Sequence, residues 1–239
     1  MTRLGFSVNR SEGSGSVGRD EREERILAAA EGLIIRFGFD KTTVSEIAEA
    51  AGVSKGAIYL HFSSKEALMD GLLARAMEQY SAAWMQAVEQ DPQGGTIGGM
   101  YRNVLKAIGE SPLMEAMLGQ DSQVLGSYLR SEDTLITRAQ ARSMRAEFVA
   151  LMQQRGCVRS DVKAGVVAHV MDVLGYGMLG IGDIKPREEI PPLEETVEMI
   201  GAMLDRWLTP AGVDSEAGKE VLRELMREQA AFLEEEEER

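Results

Sequence analysis

The sequence predicts an all-α fold, and three observations carry that prediction. Aromatic residues are only 5% of the chain, while Ala, Leu, Met, Glu and Arg recur throughout. β-branched runs bounded by turn signals are scarce. Apolar residues instead return at intervals of three and four between Gly, Pro and Ser/Thr-x-x-Glu punctuation. With 239 residues, 44% of them apolar, the chain can bury a sizeable core as one large domain or a small one fused to a larger.

Residues 1–19 are Ser/Gly-rich without helical periodicity and read as a disordered arm, whose Arg3 and Arg10 are candidates to follow a DNA minor groove. Order is expected from Asp20, which with Glu23 offers a capping pair. Ile26, Ala30, Leu33, Ile34 and Phe37 then fall on one helical face before Gly38 ends the run. Thr43-Val44-Ser45-Glu46 has the form of a capping box and opens a helix of barely two turns, with Ile47, Ala48 and Ala51 on one face and Gly52 at its end. Ser54 caps another short helix to about Phe62. Ser63-Ser64-Lys65-Glu66 opens a long one, along which Met69, Leu73, Ala76, Tyr80, Ala83 and Ala87 recur until Asp91-Pro92.

This punctuation divides the chain into a 20–66 domain of three helices, a connecting helix over 67–91, and a larger helical domain over 92–239. In the larger domain the turn signals bound helices at 97–108, 113–118, 121–130, 132–155, 161–181, 194–208 and 215–237. The 161–181 segment carries two apolar stripes, Val162/Val166/Val170/Val173 and Val167/Met171/Leu174/Met178, so it must be covered on two sides. The 194–208 segment has one, Val197/Ile200/Leu204/Trp207/Leu208. Such a pair suits packing against its own copy in a four-helix dimer interface.

A formal charge of −13 excludes a protein that coats nucleic acid through bulk electrostatics, so any DNA contact must come from a local patch. Residues 19–66 hold seven basic and nine acidic side chains, yet no acid occurs from Val53 through Lys65. The Glu234–Glu238 run reads as a solvated tail. No stretch approaches the roughly 18 apolar residues of a membrane span, and the N-terminus lacks a hydrophobic signal core. Cytoplasmic residence is the expectation. The one cysteine, Cys157, excludes an internal disulfide and a cysteine-cluster metal site.

An enzyme is the first rival class. The chain has two histidines; His169 permits a pair with Asp172 at i+3 but is expected to be an ordinary interior histidine, and no phosphate-cradling glycine motif occurs. No catalytic residue, metal site or cofactor is predicted.

Two short helices joined by a tight glycine turn form a helix-turn-helix, whose second helix offers its N-terminal side chains to base edges in the major groove. Ile58 and Phe62 have the spacing to pack inward, leaving Lys55, Ala57, Tyr59 and His61 on the complementary face with Lys65 just beyond. Lys55 can donate to guanine or a phosphate, Ala57 leaves room for a thymine methyl, and Tyr59, His61 and Lys65 can donate to phosphates. Thr43 and Ser45 sit at an exposed helix start. A module that keeps this motif only as scaffold is the second rival, and the acid-free window favours DNA over it.

The segment ILAAAEGLIIRFGFDKTTVSEIAEAAGVSKGAIYLHFSSKEALMDGLL, starting at Ile26, resembles the DNA-binding region of the tetracycline-repressor (TetR) family of bacterial transcriptional regulators. The likeness lies in Gly-Phe-x-x-Thr-Thr-Val, Ile-Ala-x-x-Ala-Gly-Val-Ser and Tyr-x-His-Phe-x-x-Lys-Glu-x-Leu. It implies a homodimer that binds a double-stranded operator through Thr43, Val44, Ser45, Lys55, Gly56, Ala57, Tyr59, His61 and Lys65, usually as a repressor. It also implies a second domain that dimerises and encloses a small-molecule effector. Met100, Tyr101, Met114, Met117, Tyr128, Phe148, Met152, Met171 and Tyr176 are the candidates to line a largely apolar pocket. The final helix, 215–237, is an extension beyond the family pattern, expected to wrap the partner subunit or cover the pocket mouth.

Overall fold

The computed structural model describes residues 13–132, 134–141 and 144–237. Among them lie twelve α-helices linked by turns and short 3-10 segments, and no strand. The first four are α1 (Gly13–Phe37), α2 (Val44–Ala51), α3 (Lys55–His61) and α4 (Lys65–Gln90). Their boundaries follow side-chain chemistry. Thr43 and Glu46 exchange hydrogen bonds as a capping box, Ser54 Oγ accepts from the Ala57 amide at 3.1 Å, and Ser64, one residue later than its sequence pattern suggests, accepts from Ala67. Gly52, in the left-handed conformation at φ 66°, turns the chain from α2 into α3.

α1 begins seven residues before the expected start, so Asp20 lies inside the helix and not at its N-terminus. A nucleated helix propagates backward at one hydrogen bond per residue, and no proline between Gly13 and Asp20 stops it. Residues 13–19 of the expected arm are therefore helical, and its remainder, with Arg3 and Arg10, lies outside the described residues.

The remaining helices are α5 (Ile97–Gly109), α6 (Pro112–Gly119), α7 (Ser122–Leu125), α8 (Leu135–Ala141), α9 (Met144–Gln154), α10 (Ala164–Gly180), α11 (Leu193–Leu208) and α12 (Ser215–Glu237). Two departures from the sequence reading have local causes. The expected 121–130 helix is one turn, α7, followed by a 3-10 segment, because Gly126 takes φ 53°. α10 starts at Ala164 rather than 161, since Gln153 draws the preceding chain into a turn through the Arg159 and Val162 carbonyls.

Two apolar cores fill the molecule. One joins α1–α3 and the first half of α4 to Leu113, Met114, Leu125, Tyr128, Leu135 and Ile136. The other packs the second half of α4, from Trp84, against α5, α9, α10, α11 and α12. α4 runs through both, and at about 1.5–3 kcal/mol per buried large apolar side chain it is the element whose displacement either core would feel.

Polar ties fix the first core to its neighbours. Arg75 on α4 reaches Glu24 and Glu31 of α1, each at 2.5 Å. Asp40, in the α1–α2 link, accepts from the Ser127 amide and hydroxyl, and the Phe39 amide donates to the Val124 carbonyl at 2.8 Å. Asp70 accepts from the Tyr128 hydroxyl and the Leu135 amide.

α12 packs against α4 and α9. Gly95 and Gly218 let the α4–α5 turn and α12 touch backbone to backbone, where a Cβ on either would overlap the other strand of chain. Lys219 donates to the Glu89 carbonyl, and Arg223 grips the Glu89 carboxylate at 2.8 and 3.0 Å. No described helix is long and apolar enough to cross a membrane.

Candidate nucleic-acid interface

α3 turns one side inward. Ile58 and Phe62 are buried against α1 and α2, and Ile26, Ala30, Ile34, Ile47 and Ala51 complete the floor. The opposite arc exposes Lys55, Gly56, Tyr59 and Leu60, with Ala57 half-buried at its edge. Lys55 Nζ stands 6.0 Å from the Tyr59 ring centroid, one turn along the same face. Thr43 and Ser45 are exposed at the start of α2 beside this arc. Thr43 is already engaged: its amide and hydroxyl both donate to Glu46 at 2.8 Å, which holds the Glu46 carboxyl below its ordinary value.

Of the nine residues expected to meet DNA, three are turned away. Val44 is buried in the first core, because the capping box aims its side chain under α2. The His61 side chain is 3% exposed, with Nδ1 3.1 Å from a Glu23 carboxylate oxygen of α1. Lys65 donates to the Phe39 carbonyl and lies 4.0 Å from the Phe39 ring centroid. Burial pushes the Lys65 ammonium pKa down, against the opposing pull of Asp40, Glu66 and Glu46. His61 and Lys65 thus serve as struts between α3–α4 and the α1 region. The residue that sequence reasoning passed over is Leu60, 76% exposed; its signal is a position one turn after Gly56, on the side of α3 away from Ile58.

The nine residues expected to line an effector pocket do not form one group. Met100, Tyr101, Phe148, Met152 and Met171 meet in the second core beside Trp84. Met114 and Tyr128 belong to the first core, and Met117 packs against it. Tyr176 is 54% exposed on α10. Composition nominated all nine, but Met114 of α6 and Tyr128 after α7 pack into the first core, even though α6 also touches α5 and α10. Within the second core the Tyr101 hydroxyl donates to the Met171 carbonyl at 3.2 Å, and burial pushes its pKa up to about 12. Tyr80 stacks on Trp84, and Trp84 Nε1 donates to the Met100 carbonyl at 3.2 Å. Neither the cleft lined by Glu194, Glu195, Glu198, Met199 and Ala202 nor that between the α1–α2 link and α7 touches any of the nine.

The outer faces of α10 and α11 carry a second concentration of apolar surface: Val166, Val170, Val173 and Tyr176 on one, Leu193, Met199, Met203 and Trp207 on the other. The two stripes read along α10 separate here, Val167 and Met171 facing the core and Val166, Val170 and Val173 facing out. His169 is exposed on this outer side rather than interior, because it is flanked in sequence by the inward Ala168 and the outward Val170 at the boundary of the two faces. Asp172, its suggested partner, pairs with Arg145 of α9.

The family model described as "Bacterial regulatory proteins, tetR family" matches residues 26–72, which run from the middle of α1 to the first turns of α4. The HTH-type transcriptional regulator YerO of Bacillus subtilis (strain 168) is 45% identical over 78 residues, 31% of this chain and 26% of YerO. The HTH-type transcriptional regulator UidR of Escherichia coli (strain K12) is 25% identical over 161 residues, 65% of this chain and 78% of UidR. Among solved structures, the transcriptional regulator FadR from Bacillus subtilis, in complex with stearoyl-CoA, superposes with a TM-score of 0.54 at 16% identity. That superposition covers 80% of this chain and 99% of FadR. The fold is that of these regulators: an N-terminal helix-turn-helix domain followed by a larger helical domain.

Proposed function

We propose that this chain, whose residues 26–72 match the family model of the tetR-family bacterial regulatory proteins, is a ligand-responsive transcriptional regulator of that family, acting as a repressor. It binds a palindromic operator as a homodimer and is released by a small, largely apolar effector. The observation that carries the reading is the α3 arc itself. Its exposed side offers a cation, a phenol, a backbone without a side chain and an apolar tip, with no carboxylate from Val53 through Lys65. That set matches a groove floor and its phosphate walls. DNA contact rests on Lys55, Gly56, Ala57 and Tyr59, with Thr43 and Ser45 at the backbone.

The outer faces of α10 and α11 support the dimer. Eight large apolar side chains left in water on α10 and α11 are more than scattered surface residues, and a two-fold copy that packs on both helices buries both stripes at once. The two recognition helices then enter successive major grooves roughly 34–36 Å apart. The core around Trp84, Met100, Tyr101, Phe148, Met152 and Met171 is the effector region. It lies between the dimer helix α10 and the second half of α4, whose first half carries the DNA-binding core. Methionine-rich packing reshapes at low cost around an apolar guest. FadR of Bacillus subtilis, a likeness in fold, was solved in complex with stearoyl-CoA, whose acyl chain is apolar. A ligand that prefers the conformer with the wrong helix separation by a few kcal/mol is enough to empty the operator.

Hydroxyl-radical footprinting on the DNA upstream of the protein's own gene tests this reading. Two protected patches about one helical turn apart, related by sequence symmetry, are expected. Uniform protection that follows total protein concentration, at low salt only, overturns it.

A further inference from the structure

Gly56 sits at the centre of the exposed arc of α3, with Tyr59 and Leu60 flanking it one turn later. Nothing inside the protein asks for glycine there. Its φ is not positive, and an added Cβ would meet only Ser54 Oγ, at 3.9 Å. A glycine inside a helix is also the least favourable residue after proline. Leu60 beside it is 76% exposed, while Ile58, the other large aliphatic side chain of α3, is buried. A missing side chain and an uncovered aliphatic one, four residues apart on one helical face, form a shallow step with an apolar wall.

We propose that this Gly56–Leu60 step is a thymine reader: Leu60 packs on the C5-methyl group of a thymine in the major groove, and the bare Gly56 backbone lets the base edge approach. The inference rests on the operator-binding reading above and adds a specificity determinant to it. The chemistry commits to thymine because its methyl is the one apolar feature on the major-groove edge of the four base pairs. A phosphate or a guanine edge gains nothing from leucine. His61 and Lys65 are held by Glu23 and Phe39, which leaves Leu60, at 76% exposed, free beside Tyr59 on this side of α3.

The test uses full-length protein and operator DNA selected by it from random sequence. Each thymine of the selected site is replaced in turn by deoxyuracil, which removes only the methyl, and affinity is measured for the wild type and Leu60→Ala. The wild type is expected to lose about fourfold at one thymine per half-site, the scale of one apolar carbon withdrawn from contact. Leu60→Ala is expected to bind more weakly and to ignore that same replacement. Equal sensitivity of both proteins at every thymine overturns the reader while leaving operator binding intact. Failure to enrich any sequence overturns the operator reading and the reader with it. Gly56→Ala gives an independent readout, with thermal stability unchanged or raised and selected-site affinity lowered; unchanged affinity contradicts the close approach.

Discussion

His61 Nδ1 lies 3.1 Å from the Glu23 carboxylate, with the imidazole 3% exposed, so the last residue of α3 is anchored to α1 instead of being offered to a phosphate. A strut and a phosphate contact make opposite predictions. His61→Ala removes a buried side chain and should lower the stability of the DNA-binding region by about 1–3 kcal/mol. The slope of log affinity against log salt should stay unchanged, because no phosphate contact is lost. Thermal melts and a salt series measured on the same preparation separate the two.

Lys65 is predicted to behave like His61 and unlike Lys55. Lys65→Met forfeits the Phe39 carbonyl bond and the ring contact, a loss on the order of 1–2 kcal/mol in stability with the salt slope intact. Urea unfolding followed by salt-dependent binding checks this.

The Asp40–Ser127 junction should be acid-labile. Hydrogen bonds from the Ser127 hydroxyl and amide hold the Asp40 carboxyl below its ordinary 3.8. A depressed folded-state pKa contributes stability that is present above the unfolded value and lost as pH falls through the folded one. The difference in melting temperature between wild type and Asp40→Asn should therefore be constant near neutral pH and close below about pH 4. A difference that persists in acid contradicts the assignment.

At the Gly95–Gly218 crossing, Gly218→Val must lift α12 from the α4–α5 turn, since even a Cβ overlaps the Gly95 carbonyl. We expect a loss of about 2–4 kcal/mol, as for overpacked cores. Arg223→Ala, removing solvent-exposed ion pairs with Glu89 and Glu216, should cost far less than Gly218→Val. Denaturant midpoints of the two variants order the contributions.

Met203→Glu and Val170→Glu place charges on the outward stripes of α11 and α10 and touch neither core. Both should shift the protein toward monomer in sedimentation equilibrium while preserving helicity, and operator affinity should fall with the dimer.

Local chemistry was readable and distant pairing was not. Thr43 and Glu46 are three residues apart, and Ser54 and Ala57 likewise, so the helix starts could be read from the chain directly. The inward turn of His61 depends on Glu23, 38 residues away, and that of Lys65 on Phe39, 26 residues away. Neither contact leaves a periodic trace. The same limit divided the nine effector candidates: methionine and tyrosine content marks apolar interior, but only the path of α6 and α7 decides that Met114 and Tyr128 lie under the DNA-binding helices. α12 was legible as a helix, while its seat depended on Gly95 and Gly218, more than a hundred residues apart in sequence.

The account's central claim is that DNA is bound through the exposed arc of α3, and fluorescence anisotropy of wild type and Lys55→Ala, on the selected site and on random DNA across a salt series, tests it most directly. The account predicts tight, sequence-selective binding by the wild type. It predicts for Lys55→Ala either a salt slope smaller by about one unit or a loss of about 1–3 kcal/mol confined to the selected site, with the dimer intact. Identical affinity and slope for the two proteins on both DNAs would contradict it.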